Sequence, residues 1–320
     1  TPTPRVSRQQ KRFAAYLDTL AQAAGHLDRA APLKSYCKGL LLPGERKSVE
    51  PMAARLAPDN VRRMHQSLHH LVADAPWSDE EMLQRVRGYA LAAMRKQEPV
   101  VAWIIDDTGF PKKGKESVGV ARQYCGQLGK PDNCRVAVSL SVSTATFSVP
   151  VAYRLYLPES WVKDGPRREK TGIPASIRFQ TKPQIALDQI RQAVESDVAR
   201  GVVLADAAYG MDGQFRAGLR ALQLEYAVGV QSSMSVWGAG QQPLPAKPQD
   251  KKRGRPSKLL RRDEQHQPVS SKQLALALPE SAWKEIGWRE GSKKLSSRFA
   301  VVRVRSAHRD YNPTFAVQDV

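Results

Sequence analysis

Two short apolar runs, each halted by aspartate, restrict this chain more than any other feature. Val100-Val101-Ala102-Trp103-Ile104-Ile105 runs into Asp106-Asp107-Thr108-Gly109, and Gly201-Val202-Val203-Leu204-Ala205 runs into Asp206. Short continuous apolar runs closed by polar turn formers read as strands buried on both faces, which occur where helices cover a sheet. Between them, the alternation Val136, Val138, Leu140, Val142 and the segment Phe147 to Leu157 predict a hairpin over Ala145. Thr181-Lys182-Pro183-Gln184 then opens a helix carrying Ile185, Leu187, Ile190 and Val194, with Pro183 in its first turn. After Asp206, the segment Asp212 to Leu222 predicts a helix and Leu224 to Val230 a further strand. Strands interleaved with helices in this order make an α/β sheet core.

The flanks read differently. Phe13, Tyr16, Leu17 and Leu20 recur at helical spacing, and Ser48-Val49-Glu50-Pro51 opens a second short helix. Asp59 is placed to cap a helix carrying Val61, Met64, Leu68 and Leu71, and Ser78-Asp79-Glu80-Glu81 has the form of a capping box. His65, His69 and His70 read as surface residues of that helical segment. The stretch Pro158 to Pro174 is expected to be a charged loop anchored to the core by Trp161. Beyond Gln231, glycine, proline and the basic run Lys251 to Lys258 give way to strand-like segments at Ala282 to Trp288 and Ser297 to Val304. The expected domains are a helical 1–98, a sheet core 99–230 and a basic β-rich insertion 231–320.

With 50 Lys and Arg against 31 Asp and Glu, the chain carries +19, which draws polyanions and speeds their capture. The cations are spread along the chain and do not line one amphipathic helix, so nucleic acid is favoured over a membrane surface. No apolar stretch approaches the roughly 18 residues of a membrane span, and the opening Thr1-Pro2-Thr3-Pro4-Arg5 lacks the apolar middle of a signal peptide. A cytoplasmic location is expected. The three cysteines, Cys37, Cys125 and Cys134, lack metal-ligand spacing and read as reduced thiols.

If the two aspartate-tipped strands are neighbours, Asp107 and Asp206 meet at their carboxyl ends, where α/β sheets bind ligands. Two carboxylates about 4 Å apart repel by roughly 4 kcal/mol at an effective dielectric near 20, so the pair calls for a proton or a divalent cation. Hard oxygen donors select Mg²⁺ or Mn²⁺, and a metal-held carboxylate pair suits phosphodiester chemistry. Asp106 and Asp107 point to opposite faces of a strand; Asp107, nearer the expected strand end, is the first choice and Asp106 the second. Taken singly, each aspartate also reads as the capping residue of a turn. Lys112, Lys113 and Lys115 follow directly and are placed to grip DNA phosphates, or to form an ordinary surface turn. Arg253-Gly254-Arg255-Pro256 has the core of a minor-groove hook, or else forms a solvated loop that touches phosphates without reading sequence.

Three segments together carry a family likeness: Trp103 to Lys115, Val118-Gly119-Val120-Ala121-Arg122-Gln123-Tyr124-Cys125-Gly126, and Val203-Leu204-Ala205-Asp206-Ala207-Ala208-Tyr209-Gly210. With the helical segment Tyr36 to Ser48, the chain resembles the IS701 family of bacterial insertion-sequence transposases, within the wider IS4-like DDE group. The resemblance implies a ribonuclease-H-like mixed sheet, an N-terminal helical domain, and cut-and-paste transposition of double-stranded DNA by self-associating copies. It also implies that Asp107 and Asp206 are the first two acids of a DDE triad, and that a β-rich insertion precedes the helix bearing the third. The Tyr, Arg, Glu, Lys pattern around that third acid is not found before Val320, and Glu280, Glu285, Glu290 and Asp310 are left unassigned. From this, and from the missing initial methionine, the sequence reads as a fragment with impaired strand transfer, or as a DNA-binding remnant that occupies transposon ends without cutting.

Overall fold

A computed structural model describes residues 7–245 and 261–307. They fall into two compact units, Thr1–Gln180 with Asp188–Val202, and Thr181–Leu187 with Val203–Val320.

The first unit opens with helices α1 (Arg8–Ala21), α2 (Ala30–Leu41), α3 (Val49–Leu56), α4 (Val61–Ala73) and α5 (Asp79–Met94). Local chemistry sets their starts. Ser7 and Gln10 exchange side-chain and backbone hydrogen bonds at 3.2 and 2.8 Å to begin α1, and Ser78 Oγ accepts the Glu81 N–H at 3.2 Å to begin α5. Asp59 does not cap α4: it sits inside a 3₁₀ turn, Pro58–Asn60, and the cap position falls to Asn60, whose side chain makes no cap bond. Pro58, with its φ preset, starts that turn ahead of the helix. Leu20, Ala24, Leu33 and Leu71 form one buried cluster and Met52, Ala53 and Leu68 another, with Tyr36 packed against both. The histidines of α4 stay near the surface; His65 and His69 stack at 5.9 Å, and Asp74 Oδ2 lies 3.5 Å from His70 Nδ1.

Next come β1 (Ala102–Pro111), β2 (Ala121–Cys125), β3 (Lys130–Ser143) and β4 (Ser148–Leu155). β1 runs antiparallel to β3 from Ala102↔Ser143 to Pro111↔Cys134, and β2 and β4 are also antiparallel to β3. The hairpin over Ala145 forms as expected, with the Thr144 N–H donating to Phe147 O at 2.9 Å. Two expectations are corrected. β2 had no sequence signal, because Ala121-Arg122-Gln123-Tyr124-Cys125 has only a weak apolar alternation. β1 also does not stop at Asp106; it continues through both aspartates to Pro111, because β3 offers backbone partners along the whole length and the ladder, not the side chain, decides where a strand ends.

The expected loop from Pro158 to Pro174 contains two short helices, α6 (Glu159–Lys163) and α7 (Gly165–Lys170), the second capped by Asp164. Trp161 is fully buried and its indole N–H donates to Val120 O at 2.7 Å, so it anchors this segment as expected. α8 (Lys182–Glu195) follows, opened by a reciprocal Thr181 and Gln184 pair at 2.8 and 3.3 Å. From Asp188 its residues belong to the first unit, where the Gln189 side chain donates to Val138 O at 3.0 Å.

In the second unit, β5 (Val202–Ala205), α9 (Ala207–Gly210), α10 (Gly213–Ala221) and β6 (Tyr226–Val228) form a strand, helix, strand unit with β5 parallel to β6. A Cβ on Gly218 would come within 2.5 Å of Leu187 Cδ2, so the glycine lets α10 lie close to the start of α8. Further along are β7 (Ser235–Trp237), β8 (Val269–Ser270), α11 (Ser271–Leu276), β9 (Lys284–Glu290), β10 (Lys293–Phe299) and β11 (Arg305–Ser306). The last expected strand is displaced. Gly291, at φ 60°, turns the chain back immediately after β9, so the partner strand begins at Lys293 and ends at Phe299, not Val304.

The architecture is α/β, with helices at the N-terminus and both antiparallel and parallel pairing, as the resemblance implied. Among the described residues no helix is long and apolar enough to cross a membrane, and none of the three cysteines is in a disulfide. Trp161→Ala removes a buried indole and orphans Val120 O; urea denaturation should show a loss of about 3 to 5 kcal/mol in unfolding free energy. An unchanged midpoint would show that the α6 and α7 segment is not anchored there.

Candidate active site

Trp103, Ile105, Asp107 and Gly109 share one face of β1. Trp103 and Ile105 are 0% and 2% exposed, and the cross-strand neighbour of Asp107 is the fully buried Val138. Asp107 therefore stands half-buried within the apolar face of the sheet, with the buried Gly109 two residues farther on and the fully buried Val136 opposite that glycine. Asp106 lies on the other face, exposed, and its Oδ1 accepts the Asp107 N–H at 2.7 Å. Its place on the face opposite Trp103 and Ile105 makes Asp106 the weaker candidate.

Gly109 is required by a close approach that sequence inspection misses. A Cβ there would stand 2.9 Å from Cys125 Sγ and 3.0 Å from Cys125 Cα. β2 thus comes against β1 immediately beyond Asp107 on the same face, closing that end of the site. The basic loop after β1 is also tied down. The Lys112 N–H donates to Asn133 O at 2.8 Å, and the Asn133 side-chain amide donates to the carbonyls of Lys112 and Gly114 at 2.6 and 2.9 Å. Lys113 and Lys115 are exposed and Lys112 half-buried. An asparagine 21 positions from Lys112 carries no sequence signal for this role.

In the second unit, Asp206 is exposed at the N-terminus of α9, and its Oδ1 accepts the Ala208 N–H at 2.9 Å. The expected turn-capping role is therefore real, and it aims the carboxylate. The turn has little freedom: a Cβ on Gly210 would lie 1.9 Å from Gly229 O, and one on Gly229 would lie 2.9 Å from Ala207 N. Tyr209 is buried against Phe215 at 5.9 Å between ring centroids. Arg216, 1% exposed, donates to Gly210 O, and burial lowers its pKa from the ordinary value. Gly210, Gly229 and Arg216 were not singled out from the sequence, because their partners are set by the fold.

Glu280 is paired with Arg298, and Glu285 and Glu290 are exposed on β9. Asp310, Arg253 and Arg255 lie outside the described residues. Asp107 belongs to the first unit and Asp206 to the second. Carboxylate oxygens are hard donors, so both candidate residues suit Mg²⁺ or Mn²⁺ in chemistry.

The double duty of Asp206 can be separated. Asparagine also caps helices, so Asp206→Asn should melt within a degree or two of the parent, whereas Asp206→Ala should lose about 1 kcal/mol. Gly210→Ala, which drives a methyl into a backbone oxygen, should lose about 1 to 3 kcal/mol. Thermal melts that rank the three variants otherwise would refute this account of the turn.

Residues 19–295 match the profile of a family described as DDE superfamily endonuclease. A curated relative, the probable transposase for insertion sequence element IS701 of Microchaete diplosiphon, is 34% identical over 193 residues, which are 60% of this chain and 46% of that protein. The chain therefore spans about half the length of the relative it matches. The family match covers most of the chain and takes in β1 with Asp107, the lysine loop and the β5 turn with Asp206, and the chain belongs to the DDE superfamily endonuclease family.

Proposed function

We propose that this chain is a metal-dependent transposase of the insertion-sequence type, with Asp107 and Asp206 as the carboxylates that hold Mg²⁺ or Mn²⁺. The observation that carries the reading is that Asp107, within β1, and Asp206, just after β5, each lie near a glycine that admits a close backbone approach, inside one match to the DDE endonuclease profile. When bound, the divalent cation stabilises charge on the attacking and departing oxygens of a phosphodiester. The protein's own groups do the rest. Asp107 presents its half-buried carboxylate from the apolar sheet face, where lowered dielectric strengthens its attraction for a cation. Asp206 is aimed by the Ala208 N–H and by the close Gly210 and Gly229 contact. Lys112, Lys113 and Lys115 hold the DNA backbone beside the first carboxylate, and Arg253 and Arg255 add contacts from the basic insertion.

The reaction is a pair of in-line displacements: water first frees a 3′ hydroxyl at the transposon end, and that hydroxyl then attacks target DNA. Residues 1–98 assist recognition of the ends, 99–230 form the catalytic core, and 231–320 form the basic insertion. Copies of the chain associate on paired ends in the bacterial cytoplasm, at the nucleoid.

Nicking of labelled supercoiled and end-containing DNA, with Mg²⁺ or Mn²⁺, tests the reading. Asp107→Asn and Asp206→Asn should each lower cleavage at least roughly hundredfold, the upper end of what losing an outer-shell metal support costs. Cleavage that survives both substitutions would remove the two residues from the site. Binding without cleavage in every form would favour the non-catalytic occupant of transposon ends.

A further inference from the structure

A segment remote in sequence grips the lysine loop beside Asp107. The Arg167 side chain donates to the carbonyl of Lys115, 52 positions away, and its guanidinium carbon lies 3.4 Å from the centroid of the Trp161 ring. Arg167 looks like a surface cation in the sequence, yet its planar head is turned onto a buried indole and a backbone oxygen. A guanidinium can stack and donate in its own plane at once, which an ammonium cannot. Three residues later, Lys170 Nζ lies 3.1 Å from Glu116 Oε2, with both side chains more than 70% exposed (71% and 73%). Such an exposed pair is weak, so the cation stays available to a stronger anion. Asn133 holds the other side of the loop through the Lys112 and Gly114 carbonyls.

We propose that Arg167 is a positioning residue that locks α7 to the Lys112–Lys115 loop, so that Lys113, Lys115 and Lys170 form one preset surface for the backbone phosphates of duplex DNA. This rests on the reading of the protein as DNA-binding and extends its contact surface to a helix that the sequence presented as a loop. Charge complementarity selects the partner: three exposed cations are gathered beside the candidate catalytic strand in a chain of +19. Fixing the loop beforehand removes the backbone ordering that a mobile lysine loop would cost on binding.

The experiment measures duplex binding by fluorescence anisotropy from roughly 50 to 200 mM salt, in the full chain carrying Asp107→Asn to suppress cleavage. Each of Lys113→Ala, Lys115→Ala and Lys170→Ala should reduce the log affinity against log salt slope by about 0.9, one phosphate's worth. Arg167→Lys keeps the charge but loses the stack and the fork. Its slope should fall by about 1.8, because Lys115 and Lys170 both lose register. A salt-independent loss of folded fraction scales every apparent affinity by the same factor and leaves the slope unchanged, so misfolding does not imitate the effect. An Arg167→Lys slope equal to the parent's, or unchanged slopes in the three lysine variants, would overturn the proposal. Failure of the parent itself to bind duplex would overturn the DNA reading on which it rests.

Discussion

The antiparallel ladder between β1 and β3 is the constraint on which the first unit's site depends. Its register, Ala102↔Ser143 through Pro111↔Cys134, decides which side of the sheet each β1 residue faces. A strand has a period of two, so a slip of one residue would exchange Asp106 and Asp107 between faces and turn Trp103 and Ile105 out of the core. The slip is opposed by the burial of those two side chains and by Val136, Val138, Leu140 and Val142, all 0% exposed on the partner strand. Burying a large apolar side chain is worth about 1.5 to 3 kcal/mol, so several such residues hold the register far more firmly than the aspartates disturb it. The position of Asp107 is thus a consequence of hydrophobic packing two and four residues earlier in the chain.

Small residues perform the complementary task. Gly109 admits β2 against β1, and Gly210 with Gly229 admits two backbones to a separation that no side chain tolerates. Each of these contacts lies within a few residues of a candidate carboxylate. Their common effect is to hold the local backbone in place by sterics. Asp206 still takes a cap bond from Ala208, and that bond orients the carboxylate without neutralising it. Capping and cation binding use the same property, a fixed negative charge, so one residue can serve both.

Periodicity and caps made much of the architecture legible. Helix starts at Ser78 and Thr181 follow from side chains that meet their own backbone a turn later, a local interaction that the order of neighbouring residues records directly. The hairpin over Ala145 and the apolar body of β1 follow from alternation and burial. β2 and the helices inside the Pro158 to Pro174 stretch were not legible. Ala121 to Cys125 is a strand only because β3 supplies its partner, and α6 and α7 are held by Trp161 and Arg167 contacts to residues about 40 to 50 positions away. The displaced last strand has a similar origin, since Gly291 turned the chain earlier than the apolar pattern suggested.

The sequence by itself determined the α/β fold class and offered two aspartates at the ends of apolar runs as candidates, with a basic loop after one of them, because apolar runs, caps and charge are properties of neighbours along the chain. The tertiary structure alone decided that β1 continues through both aspartates, that Asp107 and not Asp106 shares a face with the core, and that Asn133, Arg167 and Cys125 brace the surroundings of the first carboxylate. These are pairings between distant segments, fixed by the burial and backbone hydrogen bonding of the whole unit, and no local window of residues carries them.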